Sequence, residues 1–203
     1  STPPAPLAED GWGWETSSAG KGPTIKLDGP RVATAAAPGQ SVRARAPLPA
    51  SGRVYWEVVF AVPGEEKGAT MGNLYVFGVV DGAATEEEYG ARSGIRNSKK
   101  WWGVTDSGGI YKGTAGKTGT IEDMHYSVTG RAFGAGERIG CLADLDARTL
   151  RFYREGEALE GLVVELPAAG AGAVLYPVVT PFDAGTTATL STPPAPPAED
   201  GWS

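Results

Sequence analysis

Apolar and polar side chains alternate most clearly in the stretch from Glu137 to Glu157. Alternation with a period of two is the pattern of a strand with one buried face. The polar connection at 146–148 is short, and the segment 154–157 contains a glycine that can adopt positive φ, so each is suited to a turn. The stretch therefore predicts a β-hairpin followed by a second turn. Its predicted inward residues are Ile139, Cys141, Ala143, Leu145, Leu150 and Phe152.

Other apolar runs of strand length are separated by turns rich in glycine and proline. In the strong run 52–62, Trp56 shares its face with Val54, Val58 and Phe60, so we expect it in the core. No stretch has convincing helical periodicity, and the spacing of roughly a dozen strands is typical of an all-β sandwich. The further predicted strands are 24–27, 31–35, 41–46, 73–81, 100–105, 110–113, 126–129, 162–166, 175–181 and 186–190.

The two ends of the chain carry nearly the same segment. Residues 1–12 read STPPAPLAEDGW and residues 191–202 read STPPAPPAEDGW, which differ at one of twelve positions. Such a copy predicts one unit of a tandem array with the start of the next, although duplicated tails around a single domain would give the same pattern. Prolines favour polyproline II, so we interpret 1–11 as a linker, 12–190 as one domain, and 191–203 as linker and next unit.

Charge and composition exclude several classes of function. The net charge is −6, and the one notable basic pair is Lys99–Lys100, which argues against binding nucleic acid or an anionic membrane. No apolar run approaches the ~20 residues that a membrane span requires, so we expect no membrane insertion. The single cysteine and the missing signal peptide favour an intracellular, cytoplasmic or cytoskeletal location. A fragment would have lost such a signal, so an extracellular location stays open.

Catalytic and metal-binding chemistry finds little support in the sequence. His125 is the one histidine and Cys141 the one cysteine, so neither a histidine metal cluster nor a thiolate cluster can form. No paired acid and base or activated nucleophile is evident. We therefore predict that the chain is not an enzyme and needs no metal or cofactor.

A set of motifs in a fixed order resembles the SPRY domain family. The motifs are VYWEV, YVFGVVD, WWGVTDSGGIYKG, GERIGCLADLDARTLRFYREGE and LYPVV. The resemblance covers 52–190 and implies a two-sheet antiparallel β-sandwich that binds proteins without catalysis. The chain departs from the family at Glu155–Gly156, where Asn-Gly is usual, and in the long insertion 114–136, so the resemblance does not identify the partner.

The resemblance also implies where a partner would bind. Peptide-binding relatives use the loop before the strand resembling KWWGVT and the loop after the strand resembling LYPVV, together with a basic residue of an N-terminal loop. Trp101 and Trp102 point to opposite faces, so we expect one indole near the surface, where it could anchor a partner. The candidate contact residues are Arg31, Tyr89, Arg92, Trp101, Phe182 and Asp183.

Two functions fit these observations. The first is a protein-interaction and structural module, repeated in an array, that binds a protein, a peptide or neighbouring repeats. In its sharper form the Pro-rich linker docks on a neighbouring domain, with Trp12 or Trp202 capping the contact. The alternative is a lectin-like carbohydrate-binding sandwich, with Trp101 or Trp102 and Asp106 as the sugar site.

Overall fold

Thirteen strands make up about half of the residues that the structure describes. The structure is a computed structural model, and it describes residues 12–69, 76–90, 100–112, 125–126, 133–168, 173–181 and 183–191. The strands are β1 Ile25–Asp28, β2 Val32–Ala35, β3 Val42–Arg43, β4 Arg53–Ala61, β5 Val76–Asp81, β6 Trp101–Thr105, β7 Gly109–Lys112, β8 His125–Tyr126, β9 Arg138–Asp144, β10 Thr149–Arg154, β11 Glu157–Glu165, β12 Leu175–Thr180 and β13 Thr187–Ser191. The described residues also form a 3-10 turn, Ser18–Gly20, and one helix, α1, Glu86–Gly90.

The strands form two antiparallel sheets. The order is β1-β2-β13-β4-β9-β10-β11 in the seven-stranded sheet and β3-β12-β5-β6-β7-β8 in the six-stranded sheet. The predicted two-sheet antiparallel sandwich is therefore confirmed. The predicted hairpin is β9–β10, in which Leu150 lies opposite Ala143 and Phe152 opposite Cys141. The second predicted turn, at 155–156, joins β10 to β11.

The main core lies between the sheets and is built from alternate residues of each strand. Trp56 of β4 meets the Phe77 ring of β5 with centroids 6.0 Å apart, and Phe77 meets Phe152 of β10 at 6.1 Å. All three side chains are buried, as are the predicted inward residues of the hairpin. Edge contacts between large rings across the sheets combine area burial with favourable ring geometry. The inward face assigned to Trp56 is confirmed.

A second apolar layer covers the outward side of the six-stranded sheet. Tyr89 of α1 packs there with Trp101, Val76 and Val80, and the exposure of Trp101 is 1%. Trp102 is 5% exposed on the inward face, so both indoles are buried. The expectation that one of them lies near the surface is wrong, because a helix covers the second face of β6.

Helix α1 lies between the predicted strands 73–81 and 100–105, although the sequence there shows no convincing helical periodicity. Its first turn is closed by a capping box, in which the Thr85 amide donates to Glu88 Oε2 at 2.7 Å and the Glu88 amide donates to Thr85 Oγ1 at 3.4 Å. The Thr-x-x-Glu spacing was the available signal. Five residues are too few to show a helical period.

The N-terminal segment 12–15 belongs to the core of the sandwich. The Trp14 indole is fully buried and donates through Nε1 to the Ala188 carbonyl of β13 at 3.1 Å. Trp12 is 5% exposed and lies against Trp56, with ring centroids 6.0 Å apart. Trp12 therefore cannot cap a linker contact on a neighbouring domain, and that prediction is wrong because its ring fills its own core. Trp202 lies outside the described residues.

The turn between β10 and β11 carries a glutamate in a left-handed conformation. Glu155 has φ 51° and Gly156 has φ 87°, the signs that a two-residue hairpin turn of type I′ requires. The Glu155 carboxylate pairs with Lys67 Nζ at 2.7 Å and with Arg138 Nε at 3.1 Å. These ion pairs fix the side chain of the residue that stands where asparagine is usual in the family.

Replacing Glu155 with glutamine is expected to lower stability at pH 7 and to matter less in acid. The bond from Lys67, with that from Arg138, lowers the pKa of Glu155 from 4.5 to about 2 despite partial burial. A lowered folded-state pKa stabilises the fold above the unfolded value and loses that effect as pH falls towards the folded one. We expect a loss of a few tenths to about 1 kcal/mol, since the pair is partly exposed.

The measurement is urea unfolding of both proteins between pH 7 and pH 2. The difference in the free energy of unfolding between wild type and variant should shrink below about pH 4.5, the ordinary pKa of a glutamate. Glu160→Gln on exposed β11 is the matched control. A difference between wild type and Glu155→Gln that is independent of pH would contradict the role of the charge.

Candidate functional site

Three segments meet near the end of β12, at a place that we call the loop end: residues 36–41, the end of α1 at Tyr89–Gly90, and the turn 183–186. Ser41 joins two of them, since its amide donates to the Tyr89 carbonyl at 2.9 Å and its hydroxyl lies 2.8 Å from Thr180 Oγ1. Gln40 Nε2 adds a bond to the Gly90 carbonyl at 2.6 Å. The structure thus brings Tyr89 and Gly90 close to the end of β12.

The turn 183–186 completes the loop end. The Thr186 amide donates to the Asp183 carbonyl at 3.1 Å, and the Gly185 amide donates to the Ala35 carbonyl at 2.7 Å. Backbone bonds thus attach this turn to the end of β2, and Asp183 remains partly exposed. Two of the predicted contact residues, Arg92 and Phe182, lie outside the described residues.

A buried arginine that sequence reasoning missed lies on the outward side of the six-stranded sheet, next to Tyr89. The Arg43 guanidinium lies 4.0 Å from the ring centroid of Tyr176 and donates to the Gly82 carbonyl at 3.4 Å. Gly20 packs directly against it, so a side chain at position 20 would collide with the guanidinium. Stacking on an aromatic face stabilises a cation with little water around it. No sequence pattern indicates this contact, since it joins strands far apart in the chain.

Tyr89 is in the predicted place but has a different role. Its side chain is fully buried, and burial raises the pKa of its hydroxyl above the ordinary value. The ring therefore supports the loop end from below, and the expectation that it contacts a partner directly is wrong. The exposed residues of the same helix are Glu86 and Glu87.

Two other predicted contact residues do not join the loop end as expected. Arg31 precedes β2, and its carbonyl accepts a bond from the Leu190 amide at 2.9 Å. The loop end adjoins Ala35, at the other end of that strand. Trp101 is covered by α1 and offers no exposed ring to a partner, so its predicted role as an anchor is wrong.

The residues proposed for a sugar site are buried. Trp101, Trp102 and Asp106 are 1%, 5% and 4% exposed. A sugar stacks on an indole only if a face of the ring reaches solvent, so these side chains cannot form the lectin site that the alternative requires. The lectin interpretation has no support in this geometry.

The carboxylate at the end of β9 has structural partners. Asp144 lies 2.7 Å from Arg53 Nε, and although burial raises the pKa of this carboxyl, bonds from the Ala147 amide and Arg53 hold it below its ordinary value. Within the described residues, no group of three or more His, Cys, Asp or Glu side chains is arranged to hold a metal. No described helix is long and apolar enough to cross a membrane.

Cys141 is expected to resist thiol reagents in the native protein. Its side chain is fully buried between the sheets, and burial raises the pKa of the thiol well above its ordinary value. Since the thiolate is the reactive form, labelling requires unfolding and should be slower by a factor on the order of 10³ or more. The test is the labelling rate with and without urea. Ser107→Cys, at an exposed position, should label at once, and equally fast labelling of wild type would contradict the burial.

Comparisons with known proteins agree on one family. The SPRY domain model matches residues 53–193. Among solved structures, the SPRY domain of human HERC1 superposes with a TM-score of 0.54 at 20% identity, covering 83% of this chain and 92% of that one. The TRIM65 PSpry domain gives 0.55 at 18%, covering 89% and 90%. Stonustoxin gives 0.53 at 16%, covering 89% of this chain and 28% of the toxin chain.

No curated protein sequence matched the chain. The solved structures share the fold at low identity, whereas the family model matches the sequence itself over most of its length. The chain belongs to the SPRY domain family.

Proposed function

We propose that this domain is a non-catalytic interaction module that binds a protein or peptide through the loop end. SPRY domains are generally protein-interaction modules. The observation that carries the proposal is the junction at Ser41, where loops from distant parts of the chain are hydrogen-bonded to one another. Loops fixed on a rigid sandwich offer a partner a preformed surface at little cost in conformational entropy.

Charge at the loop end and on the adjoining helix α1 favours a basic partner segment. Glu86 and Glu87 are exposed, Asp183 is partly exposed, and the chain carries a net charge of −6. Opposite charge around an interface raises the association rate and excludes acidic competitors. The partner that this surface fits is a protein or peptide with lysine or arginine in the bound segment.

We further propose that the chain is one repeat of a tandem array. The copied segment supports this, with 1–11 and 191–203 as Pro-rich joints around a domain at 12–190. Repetition multiplies weak contacts wherever several units engage at once, including contacts between neighbouring repeats. The buried, unpaired Cys141 fits a reducing, intracellular location.

The test of loop-end binding is affinity purification with matched variants. Wild-type protein and a Glu87→Lys/Asp183→Lys variant are used to capture partners from the source cells. Glu157→Lys/Glu160→Lys, at exposed positions of β11, makes the same change of charge away from the loop end. We expect the first variant to lose the captured protein at least tenfold and the control to keep it. Equal recovery with both variants would contradict loop-end binding.

The array has its own test. An antibody against this unit is expected to detect a protein several times larger than the 21.0 kDa of the chain. A native protein of about one unit would contradict the array and leave the interaction test unaffected.

A further inference from the structure

An apolar patch lies on the outward face of the seven-stranded sheet. We call Tyr55, Leu142 and Tyr153 the outer tyrosine patch; they are 5%, 3% and 1% exposed. The two tyrosine rings meet edge to face, with centroids 5.6 Å apart and planes at 86°. The Tyr55 hydroxyl donates to Glu57 Oε1 at 2.9 Å and lies over Gly140, where no side chain intervenes.

Neither the six-stranded sheet nor α1 packs on this patch. Val54 and Trp56, the neighbours of Tyr55, point into the main core, so Tyr55 points the opposite way. The six-stranded sheet covers the inward side, and α1 packs on the far side of that second sheet. The patch is therefore covered either by side chains of the seven-stranded sheet itself or by a part of the chain outside the described ranges.

The chain leaves the described fold beside this patch. The last pair of the β13–β4 ladder is Ser191 opposite Glu57, two residues from Tyr55. The following residues are Thr192, Pro193 and Pro194, and proline lacks the amide that would continue the ladder. The sequence thus ends β13 at the edge of the patch and continues in polyproline II, the conformation that adjacent prolines favour.

The length of the Pro-rich segment matches the path across the patch. Three strand spacings of about 4.8 Å separate β13 from β10, which bears Tyr153, a distance of about 14 Å. Six residues in polyproline II span about 19 Å. The segment 192–197 is therefore long enough to cross β4 and β9 and to reach Tyr153.

We propose that the segment 192–197 packs its proline rings on the outer tyrosine patch of the domain that it follows. Tyrosine faces are the surfaces on which polyproline segments bind in proteins, and a stiff segment loses little entropy on binding. The patch is rimmed by charged pairs, Arg53 with Asp144 and Arg138 with Glu155, which keep their contact with water while the prolines cover the apolar centre.

In the proposed array, docking of this segment would fix the joint between consecutive domains. Only this consequence depends on the array, and the docking itself does not. Four residues, 198–201, would remain before Trp202, the copy of Trp12. Four extended residues span at most about 14 Å. Since Trp12 is buried in its own domain, consecutive domains would be held almost in contact.

The test is paramagnetic relaxation in the full chain. A nitroxide is attached to Ala198→Cys, while Cys141 stays buried and unlabelled. We expect the amide signals of Gly140, Leu142 and Tyr153 to lose more than half of their intensity. The amide of Glu87, beyond the second sheet, should keep its intensity. Absent or uniform broadening would overturn the proposal.

A matched pair of variants separates docking from a nonspecific effect. Pro193→Gly/Pro194→Gly is expected to restore the lost intensities at least twofold, because it loosens the segment without touching the fold. Pro3→Gly/Pro4→Gly makes the same change in the N-terminal copy and should leave the intensities unchanged. Equal effects of both variants would overturn the proposal.

The source of the contact is decided by mixing two samples. Spin-labelled protein without ¹⁵N is mixed with ¹⁵N-enriched protein that carries no spin label. Only contacts between molecules can then cause broadening. We expect no broadening in the mixture, and the same losses there would show docking on a second copy and overturn the proposal. Neither result depends on loop-end binding or on the length of the native protein.

Discussion

Replacing Trp14 with alanine is expected to lower the free energy of unfolding by about 3 to 5 kcal/mol, the usual cost of deleting a buried aromatic side chain. Trp14 is fully buried and lies in the main core. Its indole also donates to the Ala188 carbonyl of β13, so the substitution removes a hydrogen bond as well as a large volume. Urea unfolding followed by far-UV circular dichroism measures the change.

Two further variants are compared with Trp14→Ala. Trp14→Phe keeps most of the apolar volume but loses the indole donor, so we expect a smaller loss of about 1 to 3 kcal/mol. Lys26→Ala, at an exposed position of β1, should change little. If Trp14→Ala cost under 1 kcal/mol, the N-terminal segment would not belong to the cooperative unit. The prediction matters because Trp14 precedes the region 53–193 that the family model matches.

Replacing Gly78 with alanine is expected to lower the free energy of unfolding by about 3 kcal/mol or more, at the upper end of overpacking effects. Gly78 of β5 lies directly opposite Gly103 of β6. An added methyl group would collide with the Trp102 carbonyl oxygen and lie 2.6 Å from the Gly103 Cα, so the two strands would have to separate. Trp101 would then lose its packing under α1, and the loop end would loosen.

The matched control is Gly161→Ala in β11. Its methyl group would meet nothing within 4 Å, but its φ of 79° strains an alanine. The expected cost there is about 1 to 2 kcal/mol from the backbone alone. Urea unfolding compares the two variants, and near-UV circular dichroism reports on the tryptophans. A loss at Gly78 no larger than the loss at Gly161 would contradict the close approach of β5 and β6.

The hairpin β9–β10 shows what sequence pattern predicts well. Its alternation placed Cys141 and Phe152 inward, and both lie in the main core. The turn at 155–156 was also predicted from composition, and its positive φ values follow from the twist that a short hairpin requires. Alternation identified the two faces of β9, but Leu142 on the outward face is buried too, in the outer tyrosine patch.

The candidate site was predicted only in part. The family resemblance indicated the loops that hold Tyr89 and Asp183, and the structure brings the backbones of both to the loop end. Which residues face a partner was not predictable, since the Tyr89 ring points inward and Glu87 outward. Arg43 was missed because nothing near it in sequence shows that Tyr176 lies beneath its guanidinium.

The sequence by itself indicated most of the strands and turns and the inward faces of β4, β9 and β10, because period-two alternation and the conformational limits of glycine and proline act over a few residues. Only the tertiary structure decided whether an outward face stays in water. Trp101 lies under α1, and the outer tyrosine patch is buried beside the exit of β13. The Trp101 face is buried because a separate element, α1, packs above it, and strand periodicity carries no record of such an element.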